Sequence, residues 1–197
     1  DRVGLLVRTI LSQNTNDKNR DRAYFALKKR FPSWELLIGA RTKEIERVIK
    51  SAGLSRQKAK RIKQMLMKIK RQEGKISLNF LSKLSPEKAK EYLLGFKGIG
   101  EKTASVLLLF GFGMNFFPVD THILRISKRL GILPEKASLK LAHQVWQTLL
   151  TDQIGYELHL NLIEHGRKIC SARKPNCAIC PLKIRCQFYH KQIKVGL

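Results

Sequence analysis

The segment Glu91-Tyr92-Leu93-Leu94-Gly95-Phe96-Lys97-Gly98-Ile99-Gly100-Glu101-Lys102-Thr103-Ala104 decides how this chain is read. Apolar residues run up to Gly95 and resume at Ala104, Val106, Leu107 and Leu108, so two helices flank Gly98-Ile99-Gly100. The glycines permit a tight turn and a close approach of backbone to another surface. Ile99 is placed to plug the hairpin from inside. The second helix opens with unbonded amides at the positive end of its dipole, which is a seat for a phosphate.

Working outward, the rest of the chain also reads as helices. Leu5, Leu6, Thr9 and Ile10 give a first helix ending near Ser12, and Asp17 is expected to cap a second that Pro32 stops. Thr42 opens a helix with Ile45, Val48 and Ile49 on one face, closed before Gly53. Ser55 is expected to cap a long basic helix whose stripe is Ile62, Met65, Leu66 and Ile69. Ser85-Pro86-Glu87 is a start signal. Helices over 120–130, 138–150 and 156–169 follow. No period-two alternation bounded by hairpin turns is found, so the fold class is all-α. With no Gly/Ser or Pro-rich linker, two lobes would be packed together, their seam near Phe117-Pro118.

Charge narrows the partner. The chain carries 39 Lys plus Arg against 15 Asp plus Glu, a net +24. Lysine-rich heat-adapted surfaces usually balance Lys with Glu, and this one does not. A polyanion is implied, with nucleic acid ahead of an anionic membrane surface. A helix-hairpin-helix pattern fits that partner, because it grips a DNA backbone without reading sequence. No apolar run approaches the ~20 residues that cross a bilayer, and no signal-peptide pattern begins at Asp1. An intracellular location, cytoplasm or nucleoid, is expected, where thiols stay reduced.

All four cysteines lie at Cys170, Cys177, Cys180 and Cys186, in the pattern C-x6-C-x2-C-x5-C. Four reduced thiols so close in sequence read as one ligand shell, for zinc or an iron–sulfur cluster. Zinc ribbons usually show two close Cys pairs, and here only Cys177 and Cys180 form one. Lys102 falls in the first turn of the second hairpin helix, where the dipole disfavours a positive charge. The bland role there is another phosphate contact. The sharper one is an amine nucleophile able to form a Schiff base. Asp120 reads first as a helix N-cap, and second as a carboxylate for a developing cation or a proton.

Together, the segments Leu11-Ser12-Gln13-Asn14-Thr15-Asn16-Asp17, Gly53-Leu54, Gly98 to Ala104, Val119-Asp120-Thr121-His122 and His165 to Cys170, with the cysteine pattern, resemble the endonuclease III family of DNA glycosylases. That family is part of the helix-hairpin-helix, Gly/Pro-Asp superfamily. The resemblance implies a helical barrel domain with the hairpin over 1–117 and a smaller helical domain holding a [4Fe-4S] cluster on the four cysteines over 118–197. It implies a monomer that flips a damaged base from duplex DNA and cuts its glycosidic bond. Lys102 falls on the Schiff-base lysine of the bifunctional branch, which also nicks abasic sites, and Asp120 on the catalytic aspartate. The expected substrates are damaged, oxidised pyrimidines and abasic sites in double-stranded DNA.

Asn14 and Leu54 match two loops that fill the gap left by the flipped base. Relatives often carry Gln where this chain has Asn14, and usually Pro-Gly where Phe96-Lys97 precedes Gly98. They also usually have a further N-terminal helix. The DNA-contacting set is expected to be Gln13, Asn14, Leu54, Arg56, Lys97, Gly98, Ile99, Gly100, Arg173 and Lys174.

Two other readings compete. A monofunctional uracil or thymine mismatch glycosylase commonly lacks the lysine, so Lys102 argues against it. A non-catalytic DNA-binding protein with a structural metal would bind duplex without releasing a base. The adenine-glycosylase branch needs a carboxylate on the first barrel helix, near where this chain has Thr9.

Overall fold

The computed structural model describes residues 1–150 and 154–195, and no strand occurs among them. The elements are α1 (Arg2–Ser12), α2 (Asp17–Arg30), α3 (Trp34–Gly39), α4 (Thr42–Val48), α5 (Ser55–Glu73), α6 (Pro86–Leu94), α7 (Glu101–Phe112), α8 (Thr121–Leu130), α9 (Leu139–Leu149), α10 (Gly155–Lys168) and α11 (Gln187–Val195), with short 3-10 turns between some of them. The chain divides into two compact units, Asp1–Phe112 and Gly113–Leu197. The expected seam at Phe117-Pro118 lies inside the second unit, because Phe117 and Val119 pack into that unit's own core.

Several helix starts follow their local signals. Ser85 accepts from Lys88 N–H at 3.3 Å with Pro86 in the first turn, and Ser138 accepts from Leu141 N–H at 3.2 Å. Two expected caps are displaced by one residue. Asn16, extended at ψ 165, caps α2 by accepting from Asn19 N–H at 2.9 Å, so Asp17 becomes the first helical residue and pairs with Arg20 at 2.6 Å. Ser55 is likewise already helical. The cap position belongs to Leu54, held in the left-handed region at φ 46, ψ 34 with no side-chain cap bond. The helix begun at Thr42 ends at Val48 and passes into a 3-10 turn, Lys50–Ala52, before Gly53.

The first unit is built around α1, whose Leu6, Val7 and Leu11 are fully buried. It packs against α7, α2 and α5, and α4 lies along α5. The α5 stripe of Ile62, Met65, Leu66 and Ile69 is buried as its spacing predicts. Each such side chain contributes about 1.5–3 kcal/mol by leaving water. Arg2 fastens the start of α1 to the end of α7, donating to the Gly111 carbonyl at 2.9 Å and lying over the Phe112 ring.

The second unit has a separate core of Phe117, Ile123, Ile126, Trp146 and Leu162. Phe117 stacks on Trp146 with centroids 4.7 Å apart, and the indole N–H donates to Ser127 Oγ at 2.9 Å, which satisfies a buried donor. Gly131, at φ 85, ends α8 in the left-handed conformation that favours glycine. No helix among the described residues is long and apolar enough to cross a membrane.

Candidate nucleic-acid interface

The hairpin is set by three backbone bonds. Phe96 N–H reaches the Leu93 carbonyl at 3.2 Å, Ile99 N–H the Phe96 carbonyl at 3.0 Å, and Ala104 N–H the Gly100 carbonyl at 3.0 Å. Gly98, at φ 88, is the position the turn reserves for glycine, and a Cβ there would meet Arg61 Cδ at 2.7 Å. The α7 amides ahead of Ala104 have no preceding helical carbonyl, so the dipole's positive end faces out beside Gly100.

Lys102 is exposed on that first turn, and Lys97 and Gly100 are exposed on the hairpin. Ile99 is 6% exposed, so its side chain is the hairpin's plug, and only its backbone is left for a phosphate. Gln13 also turns inward. Its side-chain nitrogen donates to the Gly98 carbonyl at 3.0 Å and to Thr103 Oγ1 at 3.3 Å, tying the end of α1 to the hairpin. Both were expected on the DNA-contacting face, and the structure gives their side chains internal work.

Asn14 and Leu54 are both exposed, Leu54 at 56%. They are the non-glycine residues with positive φ among the described residues, at 53 and 46. An L side chain reaches that region at a cost, and such outliers collect at functional sites. Arg56 is exposed in the first turn of α5.

Leu54 is followed by the polar run Ser55-Arg56-Gln57-Lys58, yet Lys58 is 1% exposed. Its ammonium donates to the carbonyls of Gln13, Ala52 and Leu11 at 2.6, 2.7 and 2.8 Å. Burial pushes its pKa down to about 8. The signal was present: Lys58, Ile62, Met65, Leu66 and Ile69 share one helical face.

Asp120 caps α8. Its side chain accepts from Ile123 N–H at 2.9 Å and remains half-buried. It belongs to the second unit and Lys102 to the first. Further along the second unit, the four cysteines are free thiols, all half-buried. Burial, and then charge on Cys180, Cys186 and Cys170, pushes the Cys177 thiol pKa up. Cys180 Sγ lies 3.7 Å from His165 Nε2, and burial keeps that imidazole's pKa low.

No group of three or more His, Cys, Asp or Glu among the described residues is placed to hold a single metal ion. The chemistry of the donor set fits an iron–sulfur cluster, which is held by cysteine sulfurs. Arg125 and Arg129, which sequence reasoning did not single out, support the loop. Arg125 donates to the carbonyls of Gly166 and Cys170 at 2.8 and 2.9 Å. Arg173 and Lys174 are exposed between the first two cysteines.

An all-helical chain with a buried-plug hairpin, an exposed lysine on its second helix and an N-cap aspartate defines a helix-hairpin-helix protein. The pattern of HhH-GPD superfamily base excision DNA repair proteins matches residues 7–150. The chain belongs to the endonuclease III family within that superfamily. It is 35% identical over 191 residues to an endonuclease III of Sulfolobus acidocaldarius, covering 96% of this chain and 83% of the relative. It is 40% identical over 173 residues to a candidate DNA glycosylase of Arabidopsis thaliana, covering 88% of this chain but 59% of the plant protein. A trapped endonuclease III–DNA covalent intermediate superposes with a TM-score of 0.84 at 27% identity, covering 96% of this chain and 84% of that one.

Proposed function

We propose that this chain is a bifunctional DNA glycosylase and AP lyase acting on oxidised pyrimidines and abasic sites in duplex DNA. The observation that carries the reading is Lys102, exposed on the first turn of α7 beside the hairpin's outward-facing amides. The hairpin would hold the phosphate backbone, and Lys97, Gly100, Arg56, Arg173 and Lys174 would add contacts around it. Asn14 and Leu54 would enter the gap left by the extruded base.

The chemistry follows from an amine and a carboxylate. The Lys102 Nζ lone pair attacks the sugar C1′ as the C1′–N glycosidic bond breaks, and a proton given up by the attacking nitrogen leaves with the departing base. Opening of the C1′–O4′ bond leaves an iminium between Nζ and C1′. Loss of a C2′ proton then expels the 3′ phosphate oxygen, and water releases the lysine. The Asp120 carboxylate offsets the cationic charge on the sugar and takes or returns a proton. The four cysteines would hold a [4Fe-4S] cluster, and when bound it would supply a structural tie across the loop, not a reacting centre. Residues 1–112 would then form the barrel domain with the hairpin, and the second unit the cluster domain.

Borohydride reduces the iminium to a stable amine, so incubation with thymine-glycol or abasic-site duplex should give a covalent adduct that Lys102→Ala abolishes. Base release without an adduct would favour a monofunctional glycosylase. Duplex binding without base release would favour a non-catalytic protein.

A further inference from the structure

We infer that Lys58 is the positioning residue that fixes the Asn14 and Leu54 loops at one mutual spacing and registers both against the hairpin. The inference rests on the reading above, in which these two loops fill the space left by a flipped base.

The geometry is complete in a way that packing alone does not require. An ammonium has three N–H donors, and Lys58 Nζ has three acceptors, all backbone carbonyls: Leu11 at 2.8 Å, Gln13 at 2.6 Å and Ala52 at 2.7 Å. Leu11 and Gln13 lead into Asn14, and Ala52 leads into Gly53 and Leu54. The two left-handed non-glycine residues among the described residues therefore stand one and two positions beyond carbonyls held by the same nitrogen. Gln13 continues the chain of contacts, because its side chain holds the Gly98 carbonyl of the hairpin and Thr103 of α7.

A buried ammonium is a costly occupant for an apolar stripe, and a methionine there would fill the same space without the desolvation penalty. What the charge supplies is a fixed point shared by two loops that are far apart in sequence. The three-carbonyl clamp needs the protonated form, since a neutral amine has only two hydrogens, and burial works against that form. A base-flipping site needs its filler loops and its backbone grip at a set separation, and small misplacements there lose large factors.

The test uses the full chain as Lys58→Met, which keeps the side chain's length and removes its donors, beside wild type. Two duplexes are compared, one with a tetrahydrofuran abasic-site analogue and one undamaged, with 2-aminopurine opposite the lesion to report unstacking. Lys58→Met should lose about tenfold or more in abasic-site affinity together with the 2-aminopurine signal, while undamaged-duplex affinity, set by net charge, stays within about twofold. Unchanged abasic binding and signal, or an equal loss on both duplexes, overturns the inference.

Hydrogen exchange on wild type tests the clamp even where the variant does not fold. With the clamp, amides of residues 12–15 and 53–55 open as one unit with a common denaturant dependence, and independent opening overturns it. A wild type with no preference for the abasic duplex counts against the proposed function instead. In that case the clamp stands or falls on the exchange result.

Discussion

The Arg129 guanidinium stands 3.2 Å from the Cys170 sulfur. The same side chain donates to the carbonyls of Ser171 at 2.7 Å and Ala172 at 2.9 Å, and the Arg129 backbone carbonyl accepts from the Cys186 thiol at 3.3 Å. One residue of α8 thus braces the first and last thiols of the set and the backbone that leaves the first. Partners of this kind orient ligands, and losing one typically costs about 10- to 100-fold in metal affinity. On the proposal that the four cysteines hold a [4Fe-4S] cluster, Arg129→Met should lower the iron content of purified protein and speed the loss of visible absorption in chelator, with helical circular dichroism little changed. Equal iron content and equal loss rates would show that the guanidinium supports only the loop backbone.

Glycine substitutions should separate two environments with opposite signs. A Cβ on Gly166 would sit 2.7 Å from His122 Cβ, which is rooted in α8 and cannot swing aside. Gly166→Ala should therefore cost about 1–3 kcal/mol through displacement of α10 from α8. At Gly39, in the last turn of α3, nothing lies within 4 Å of the added carbon. Gly39→Ala should be neutral or stabilise by up to about 1 kcal/mol, by restricting the unfolded chain. Denaturant midpoints measured on both variants check the contrast.

Acid should weaken the first unit through Asp21. Its carboxylate accepts from Arg20 and Arg8, both at 2.7 Å, and these hydrogen bonds hold its pKa down from 3.8 to about 2. A carboxyl whose pKa is depressed in the folded state stabilises fully above its unfolded value and loses that contribution as pH falls through its folded value. The window is therefore from about pH 4 down to about pH 2. The pair is partly exposed, so Asp21→Asn should cost under about 1 kcal/mol at neutral pH. The gap between wild type and variant in urea should close across that window, and a gap that persists at pH 2 would place the effect outside the ion pairs.

Features written in a few adjacent residues were legible before any coordinates. The cap at Asp120, the Pro86 start, the glycine stop at Gly131 and the α5 stripe each depend on residues within one or two turns. The place of Lys58 on the buried face of α5 follows from spacing, but its role was not legible, because its three acceptors come from two other segments. The seam was misplaced for a related reason. Phe116, Phe117 and Val119 are apolar in either unit, and only packing with Trp146 and Leu162 tells which core Phe117 and Val119 join. Gln13 illustrates the same limit at the candidate site. Its position beside Asn14 is visible in the sequence, but the inward turn toward Gly98 arises from the hairpin's placement against α1.

Asp120 offers the cleanest separation of structural from chemical roles. As a cap it needs one side-chain oxygen, the acceptor for Ile123 N–H at 2.9 Å. Asparagine provides that oxygen and caps about as well as aspartate, so Asp120→Asn should change stability by less than about 0.5 kcal/mol. It cannot carry negative charge beside a cationic sugar, nor accept a proton at neutral pH. Single-turnover base release should fall by about 10² or more, the size expected when a positioned acid–base group is lost. Duplex affinity, governed by the chain's net +24, should hold or rise slightly as one repulsive carboxylate is removed. Thermal melts and single-turnover assays on the same preparation give both answers. Unchanged base release with an unchanged melt would assign Asp120 to the cap alone, and the sugar cation would need a different carboxylate.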